Sequence, residues 1–230
     1  IILGNHDGNL RNSGREDAVT PIAEALAHPN LHLLKDSGNY RVDSGLSFNV
    51  LSIFDREHWE DPDTSGINIA LYHGAVMGST TGTGWAMEHG DDDITIFKGH
   101  DYVMLGDIHK PQILDTEGKV QYAGSTVQQN FSEDGRKGYK LWTIRDQDDF
   151  DVQHVIFTNP RPFITIHLND KGKIPEHYHV PHGCRLRLIS TLNMDSASIR
   201  KITDLARSKY SPMSLSFLNF ERQFFELSSF

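Results

Sequence analysis

The sequence has a single cysteine, no long apolar run, and fewer basic than acidic side chains. One cysteine among 230 residues excludes an internal disulfide, and Cys184 in "GCRLRLIS" is expected to be a buried, reduced thiol, which favours a cytoplasmic location. No stretch approaches about 18 consecutive apolar residues, so neither a transmembrane helix nor a membrane partner is predicted. The formal net charge of −9 disfavours a simple basic nucleic-acid binder.

The charges are divided unevenly along the chain. Residues 1–160 contain 12 basic and 25 acidic side chains, whereas residues 161–230 contain 10 basic and 6 acidic ones. This asymmetry and the two prolines of "TNPRP" predict a larger domain at residues 1–158 and a smaller one at residues 159–230. An acidic domain still binds polyanions when bound divalent cations supply positive charge.

The pattern of apolar residues predicts an α/β chain. In the first domain a helix over about 12–27, capped by Asp17 and with Ile22 and Leu26 in an apolar stripe, precedes several short strands. Two of these strands, "INIALYH" and "DYVMLG", are separated by a long loop at residues 74–93, and loops of that length are uncommon unless functional. Two strands, a helix over about 195–209 and a last strand predict that the second domain is a small α+β unit.

Polar clusters follow three of the strand-like runs: residues 5–7 (Asn-His-Asp), His73, and Asp107 with His109. Ligands of open α/β sheets bind beyond the carboxyl ends of the strands, so these clusters are expected to converge. If residues 107–109 continue an extended strand, Asp107 and His109 point to the same side. Such mixed nitrogen and oxygen ligands suit Mn, Fe or Zn better than Ca or Mg. The alternative is a set of unrelated surface histidines and an ordinary turn at Asn-His-Asp-Gly.

These clusters resemble three signatures of one family. "GNHD", "YHG" and "GDIH" are similar to the third, fourth and fifth signatures of the calcineurin-like metallophosphoesterases. The run "DYVMLGDIHKPQIL…VQYAGSTVQQNFSEDGRKGYKLWTI" is similar to the SbcD-type DNA double-strand-break repair nucleases, particularly their phage and viral relatives. The resemblance covers residues 1–158 and implies a β-sandwich flanked by helices (α/β/β/α). Residues 159–230 resemble, more loosely, the α+β capping domain of those nucleases.

The resemblance implies two divalent metal ions, most simply Mn, with Mg, Fe and Zn as alternatives. Asn5 and His73 match ligands of the second metal, and His109 matches a ligand of the first. Asp107 stands where the family has the first His of Gly-His-x-His; an aspartate still ligates Mn but favours harder metals. The implied reaction is two-metal hydrolysis of a phosphodiester in DNA, by an exonuclease or endonuclease.

The resemblance also assigns roles to the neighbours of Asn5. His6 matches the catalytic histidine, which contacts the scissile phosphate and assists the leaving oxygen, and Asp7 matches a residue that orients a histidine or the turn. The family's first two signatures, Asp-x-His and Gly-Asp-x-x-Asp, precede the GNHD strand. The chain is therefore expected to be an N-terminally truncated piece of a longer nuclease, and the isolated piece is expected to be inactive.

The partners implied are DNA, an SbcC-type SMC-like ATPase, and a second copy of the chain that contacts its first helix, all in DNA repair or recombination. Lys110 is a candidate contact to a backbone phosphate and Trp85 to a base; the alternatives are a solvated lysine and a tryptophan packed on the body. Two other functions stay open. One is a calcineurin-like phosphatase or small phosphodiesterase, and the other is a catalytically degraded subunit that binds DNA or a partner.

Overall fold

The computed structural model describes residues 1–9, 11, 16–90 and 92–219, which form two compact units. The first unit contains residues 1–126 and 138–156, and the second contains residues 127–137 and the chain from residue 157 onward. The sequence prediction places one boundary near residue 158 and does not anticipate that residues 127–137 belong with the second unit. Within the described ranges, no helix is long and apolar enough to cross a membrane.

A mixed six-stranded sheet dominates the first unit. Its strands are β1 (Gly38–Arg41), β2 (Leu46–Leu51), β3 (Ile67–His73), β4 (Tyr102–Gly106), β5 (Gln112–Ile113) and β6 (Val120–Tyr122). They lie in the order β1-β2-β3-β4-β6-β5. The inner pairs β2–β3, β3–β4 and β4–β6 are parallel, whereas β1 and β5 pair antiparallel at the two edges. The first unit is thus an α/β structure with few helices.

The central strands are apolar because both of their faces are covered. Asn68, Ile69 and Ala70 are consecutive residues of β3 and all are buried. Parallel strands that are covered on both faces have continuous rather than alternating apolar runs. This explains why "INIALYH" and "DYVMLG" are recognised as strands from the sequence. Short 3-10 helices at Arg56–His58 and Ile94–Phe97 lie in the connections before β3 and β4.

A separate two-stranded antiparallel sheet completes the first unit, formed by β7 (Gly138–Ile144) and β8 (Phe150–Ile156). Tyr102 of β4 attaches it to the larger sheet. The Tyr102 ring centroid lies 6.0 Å from that of Trp142 and 5.1 Å from that of Phe150, both edge-on, and its hydroxyl donates to the Asp146 carbonyl at 2.6 Å. Edge-to-face aromatic pairs stabilise by about 0.5–1.5 kcal/mol beyond the burial of their area.

The second unit is a three-stranded parallel sheet with one long helix. Its strands β9 (Phe163–His167), β10 (Arg185–Ser190) and β11 (Ser214–Asn219) lie in the order β11-β10-β9, and α2 (Ser196–Tyr210) connects β10 to β11. The predicted strand-strand-helix-strand order is confirmed for the described residues. Phe220, which the sequence prediction includes in the last strand, lies outside them.

The core of the second unit forms between α2 and this sheet. Asp195 begins the helix, because its carboxylate accepts a hydrogen bond from the Ser198 backbone nitrogen at 2.7 Å. Ile202 and Ala206 then pack into an apolar cluster that also contains Cys184. Cys184 is free and buried, and its burial raises the pKa of the thiol, as expected for an unreactive cysteine.

The first helix departs from its prediction. α1 covers Thr20–Leu26, and residues 12–15 of the predicted helix lie outside the described part of the chain. None of the α1 residues is buried, and Ile22 and Leu26 are 60% and 64% exposed. The apolar stripe exists, but it does not pack into the core of the first unit. The short apolar runs at residues 1–3 and 31–34 pair through one bridge, between Ile2 and Leu34.

Asp17 holds the start of α1 with four contacts. Its carboxylate accepts hydrogen bonds from the backbone nitrogens of Val19 and Thr20 at 2.9 and 2.7 Å and from the Thr20 hydroxyl at 2.7 Å. It also pairs with the Lys35 ammonium at 2.8 Å. Burial by itself raises the pKa of Asp17, but the bonds from Lys35, Thr20 and Val19 outweigh it and hold the pKa well below its ordinary value.

Replacing Asp17 by asparagine is expected to destabilise the first unit by about 1–3 kcal/mol at pH 7, because the ion pair is lost while Lys35 stays half-exposed. Because the pKa of Asp17 is lower in the folded than in the unfolded state, its ionised carboxylate stabilises the fold above about pH 3.9, the pKa of an unfolded aspartate. This stabilisation fades as the pH falls below that value. Thermal unfolding at pH 7, 4 and 2.5 should therefore show the difference between Asp17→Asn and the parent narrowing toward acid. A constant difference would mean that the charge of Asp17 contributes nothing.

Candidate metal centre

Two of the predicted clusters meet because β3 and β4 are parallel neighbours. The register pairs His73, the last residue of β3, with Gly106, the last residue of β4. His73 and Asp107 therefore leave the sheet side by side, and the His73 Nε2 lies 3.7 Å from the Asp107 Oδ1. This is the arrangement that the strand-end argument predicts for residues 34 positions apart in the sequence.

The third cluster reaches the same place through a tight turn. The Asp7 nitrogen donates to the Gly4 carbonyl at 2.9 Å, and the Gly4 nitrogen donates to the Asp7 carboxylate at 2.7 Å. Asp7 therefore closes the turn on which Asn5 lies. The Asn5 Nδ2 donates to the Asp107 Oδ1 at 3.1 Å. The structure thus brings Asn5, His73 and Asp107 together, from positions up to 102 residues apart in the sequence.

The contact with Asp107 fixes which way the Asn5 amide points. A carboxylate only accepts hydrogen bonds, so the amide nitrogen of Asn5 is the atom that contacts Asp107, and the amide oxygen is left for another partner. The Asn5 Oδ1 is buried and has no hydrogen-bond partner among the described residues. A buried acceptor without a partner costs about 1–3 kcal/mol and calls for an explanation such as an ion.

His73 is held between two glycines. A Cβ at Gly4 would lie 2.6 Å from the His73 Cε1, and a Cβ at Gly106 would lie 2.7 Å from the His73 Nδ1. The glycines of "GNHD" and "GDIH" therefore leave the space that the imidazole ring fills. Burial lowers the pKa of His73, against the opposing effect of Asp107 and Asp7. The lowered pKa favours the neutral ring, the form that ligates metals.

Asp107 has an unusual backbone. Its φ of +92° lies in the left-handed region, where a residue with a side chain costs about 1–3 kcal/mol. The expectation that residues 107–109 are extended is therefore wrong, since β4 ends at Gly106. Asp107 and His109 are therefore not held to one side by an extended backbone. His109 is exposed beyond the strand end, yet it is close enough, like His6, to lower the pKa of His73.

The side chains that converge suit a divalent cation. An amide oxygen, a neutral imidazole and a carboxylate form the mixed donor set of Mn, Fe or Zn sites. Binding of a cation would account for both the unpaired, buried Asn5 Oδ1 and the strained backbone of Asp107. Asn5 and His73, the predicted ligands of the second metal, therefore fit that role with Asp107 beside them, whereas His109 is the one residue predicted as a ligand of the first metal.

A rival cluster lies elsewhere in the first unit. Asp55, Glu57 and His58 place one ligating atom each within 4.8 Å of one another. Glu57 and His58 are exposed. The Asp55 carboxylate is already hydrogen-bonded to the His58 ring and to the Ser37 backbone nitrogen, and the Asp55 backbone carbonyl accepts from the Ser37 hydroxyl. Its oxygens are therefore partly used, and surface groups of this kind are common without a metal.

A cavity of about 610 Å³ is lined by Asn5 and by the exposed His6. The His6 side chain has no hydrogen bond to a described residue, so it is free to contact a substrate. Arg11 also lines the cavity, and its guanidinium has no ion pair within the described ranges. Arg11 is not apparent as a site residue from the sequence, because a single arginine in a polar stretch gives no periodic or motif signal.

The long loop at residues 74–93 is held by hydrogen bonds at its start and again at Thr80. The buried Tyr122 hydroxyl donates to the Gly74 carbonyl at 2.6 Å and accepts from the Val76 nitrogen at 2.9 Å, directly after His73. Further along, the Gln112 side chain makes two 2.8 Å hydrogen bonds to the Thr80 backbone. These contacts are long-range, so neither Tyr122 nor Gln112 is apparent from local sequence pattern.

The two predicted nucleic-acid contacts lie on or beside this loop. Trp85 is 60% exposed, so it is not packed on the body of the protein. Lys110 is exposed and donates to the Thr80 hydroxyl at 2.9 Å. A hydrogen bond to a neutral hydroxyl leaves the positive charge of Lys110 unpaired among the described residues, so both side chains are available to a polyanion.

Replacing Gly4 by alanine is expected to displace the His73 ring, because the new methyl group would overlap it. Overpacking of this kind costs about 1–3 kcal/mol, and the displaced ring should weaken binding of Mn²⁺. Gly135→Ala is the matched control, since a Cβ there meets nothing within 4 Å. Thermal unfolding and Mn²⁺ titration of both variants provide the comparison; an unchanged Gly4→Ala protein would show that His73 is not held by this contact.

Comparison with known proteins gives a relative but no family. No family model matches the chain. The chain is 39% identical over 145 residues to a protein of Acanthamoeba polyphaga mimivirus named "Uncharacterized protein R555", and the match covers 58% of the chain. It covers 11% of that viral protein, so the chain spans about a tenth of the relative's length.

Proposed function

We propose that the chain takes part in metal-dependent hydrolysis of phosphodiesters in DNA, as part of an SbcD-like nuclease subunit with the metallophosphoesterase sandwich. The observation that carries the proposal is the meeting of Asn5, His73 and Asp107 at adjacent strand ends, with the buried Asn5 Oδ1 unpaired. These residues stand in three signatures that resemble those of one family and follow one another in the same order, with Asp107 in place of a histidine.

Asn5, His73 and Asp107 would hold the second metal, and His109 would contribute to the first. When bound, the metals lower the pKa of a water molecule and stabilise charge on the phosphate. Because Asp107 adds a negative charge where the family has a neutral histidine, the site should prefer Mn or Mg over Zn. The bond from the Asn5 Nδ2 keeps the Asp107 carboxylate directed into the site.

His6 is the residue that contacts the reacting phosphate. Its ring is exposed in the cavity and not used in the fold, so it is free to donate a proton or hydrogen bond to the leaving oxygen. Arg11 lines the same cavity and supplies a fixed positive charge for the phosphate. Lys110 would contact a phosphate of the DNA strand next to the cleaved bond, and Trp85 would contact a base of the same DNA strand.

Two partners belong to the same proposal. The exposed Ile22 and Leu26 of α1 support a homodimer in which this helix meets a second copy, because large apolar side chains on one exposed face favour association. An SbcC-type ATPase is proposed from the resemblance alone. The first two signatures of the family are not among the 230 residues, so these residues alone are expected to bind metal without cleaving DNA.

The test supplies Mn²⁺ to a polypeptide that contains this chain together with the family's first two signatures. Three substrates are compared: linear duplex DNA, circular single-stranded DNA and a small chromogenic phosphodiester. Cleavage of linear duplex, with or without circular DNA, is the expected result. Turnover of the chromogenic ester alone would identify a phosphatase or small phosphodiesterase. Binding of DNA with no turnover of any substrate would identify a degraded, non-catalytic subunit.

A further inference from the structure

A groove in the second unit carries four lysines on its rim. The groove has a volume of about 550 Å³ and lies between the turn at residues 169–173 and α2. Lys171 and Lys173 project from the turn, and Lys201 and Lys209 project from α2. All four are exposed, and none forms an ion pair with a described residue. No acidic side chain is among the described residues that line the groove.

The turn side of the groove is preformed. The Asn169 side-chain oxygen accepts hydrogen bonds from the Lys171 and Lys173 nitrogens, both at 3.0 Å, and the Asn169 nitrogen donates to the Lys173 carbonyl at 3.0 Å. Gly172 has a φ of +66°, and a Cβ there would lie 3.2 Å from the Met194 Cε. Both lysines therefore start from a fixed backbone, which lowers the entropy lost when they bind a ligand.

The floor of the groove is apolar. Ile174, Met194, Ile202 and Leu205 line it, and Leu205 is 53% exposed although it lies in the middle of α2. Lys201, Leu205 and Lys209 are four residues apart, so they lie along one face of the helix. The two lysines are separated by about 12 Å along the axis, with the exposed leucine between them.

We propose that this groove binds an acidic amphipathic helix of a partner protein. Such a helix places its apolar face on Leu205 and the floor while its carboxylates meet the lysines, which is the helix-in-groove mode of recognition. A nucleic acid fits less well. Phosphates would leave the apolar floor in contact with water, and none of the described lining residues is aromatic and able to stack on a base.

The proposal is independent of the hydrolysis proposed above, and its test uses the whole 230-residue chain. The probe is a fluorescein-labelled helical peptide of about 18 residues with leucines on one face and glutamates on the other. A second peptide has the same composition in scrambled order, so its charge is equal but it has no apolar face. A labelled single-stranded oligonucleotide is the third probe. Fluorescence anisotropy at low and high salt gives the three dissociation constants.

The variants separate the groove from general charge. Lys201→Glu is expected to weaken binding of the amphipathic peptide by about tenfold, and Leu205→Asp by at least as much. Arg200→Glu is the matched control, because it makes the same charge change at the neighbouring position of α2, where the side chain does not line the groove. Circular dichroism of each variant checks that α2 is still folded.

The expected result is that the amphipathic peptide binds more tightly than both other probes, and that Lys201→Glu and Leu205→Asp weaken it while Arg200→Glu does not. Equal affinity for the scrambled peptide would overturn the proposal, since charge alone would then account for binding. Tighter binding of the oligonucleotide that depends on Lys201 would also overturn it and would assign the groove to nucleic acid.

Discussion

Replacing His6 by alanine is expected to lower DNA cleavage by about 10²- to 10⁴-fold while leaving the affinity for Mn²⁺ unchanged. The His6 side chain is exposed in the cavity and has no hydrogen bond to a described residue. The turn that carries it is closed by backbone and side-chain bonds between Gly4 and Asp7, so its removal leaves Asn5 in position. A proton donor is lost, and the metal ligands are kept.

The measurement combines two readouts that a structural role would not separate. Single-turnover cleavage of linear duplex is followed as a function of pH in the polypeptide that contains all five signatures, and Mn²⁺ binding is followed by calorimetry. The cleavage rate of the parent should change with pH in a way that the rate of His6→Ala does not. Added imidazole should restore part of the cleavage activity of His6→Ala. His32→Ala, which removes an exposed histidine far from the cavity in the sequence, is the control. Parallel loss of cleavage and metal binding would make His6 a ligand.

Replacing Asn5 by alanine is expected to weaken Mn²⁺ binding by about 100-fold or more. The change removes the buried amide oxygen and also the bond that holds the Asp107 carboxylate. Loss of a group that only orients a ligand already costs about 10- to 100-fold, so the loss of a ligand together with its orienting bond should exceed that range. His73→Ala should have an effect of similar size.

Two companion variants show whether the oxygen of Asn5 is what matters. Asn5→Asp keeps an oxygen but places a second carboxylate against Asp107, so the metal-free protein should lose stability and Mn²⁺ should restore it. Asn9→Ala changes an asparagine that lines the same cavity and whose oxygen accepts from the Arg11 nitrogen, and it should bind Mn²⁺ like the parent. Equal affinities for Asn5→Ala and Asn9→Ala would remove Asn5 from the ligand set.

The sequence predicts the parts of this structure that depend on local pattern. β3 and β4 are recognised because parallel strands covered on both faces are apolar throughout, and the strand-end rule then brings His73 beside Asp107. The strands and helix of the second unit follow from ordinary periodicity. The α/β architecture is confirmed, whereas the metallophosphoesterase sandwich stays a prediction.

The differences arise where long-range contacts decide. The apolar residues of α1 suggest a packed helix, but pattern alone does not say whether an apolar face meets the core or another molecule. Asp107 has a positive φ, which no local sequence signal reports for an aspartate directly after a strand. The segment 127–137 belongs with the second unit partly because the buried Gln128 side chain accepts from the Phe163 nitrogen at 3.1 Å. Such a contact spans 35 residues and has no local signal.

The most direct test of the metal centre is a crystal structure of the chain grown with Mn²⁺ and measured at a wavelength where manganese scatters anomalously. We expect an anomalous peak within bonding distance of the Asn5 Oδ1, the His73 ring and the Asp107 carboxylate, and no such peak in crystals of Asn5→Ala. A peak at Asp55, Glu57 and His58 with none beside Asn5 would show that the metal centre lies elsewhere.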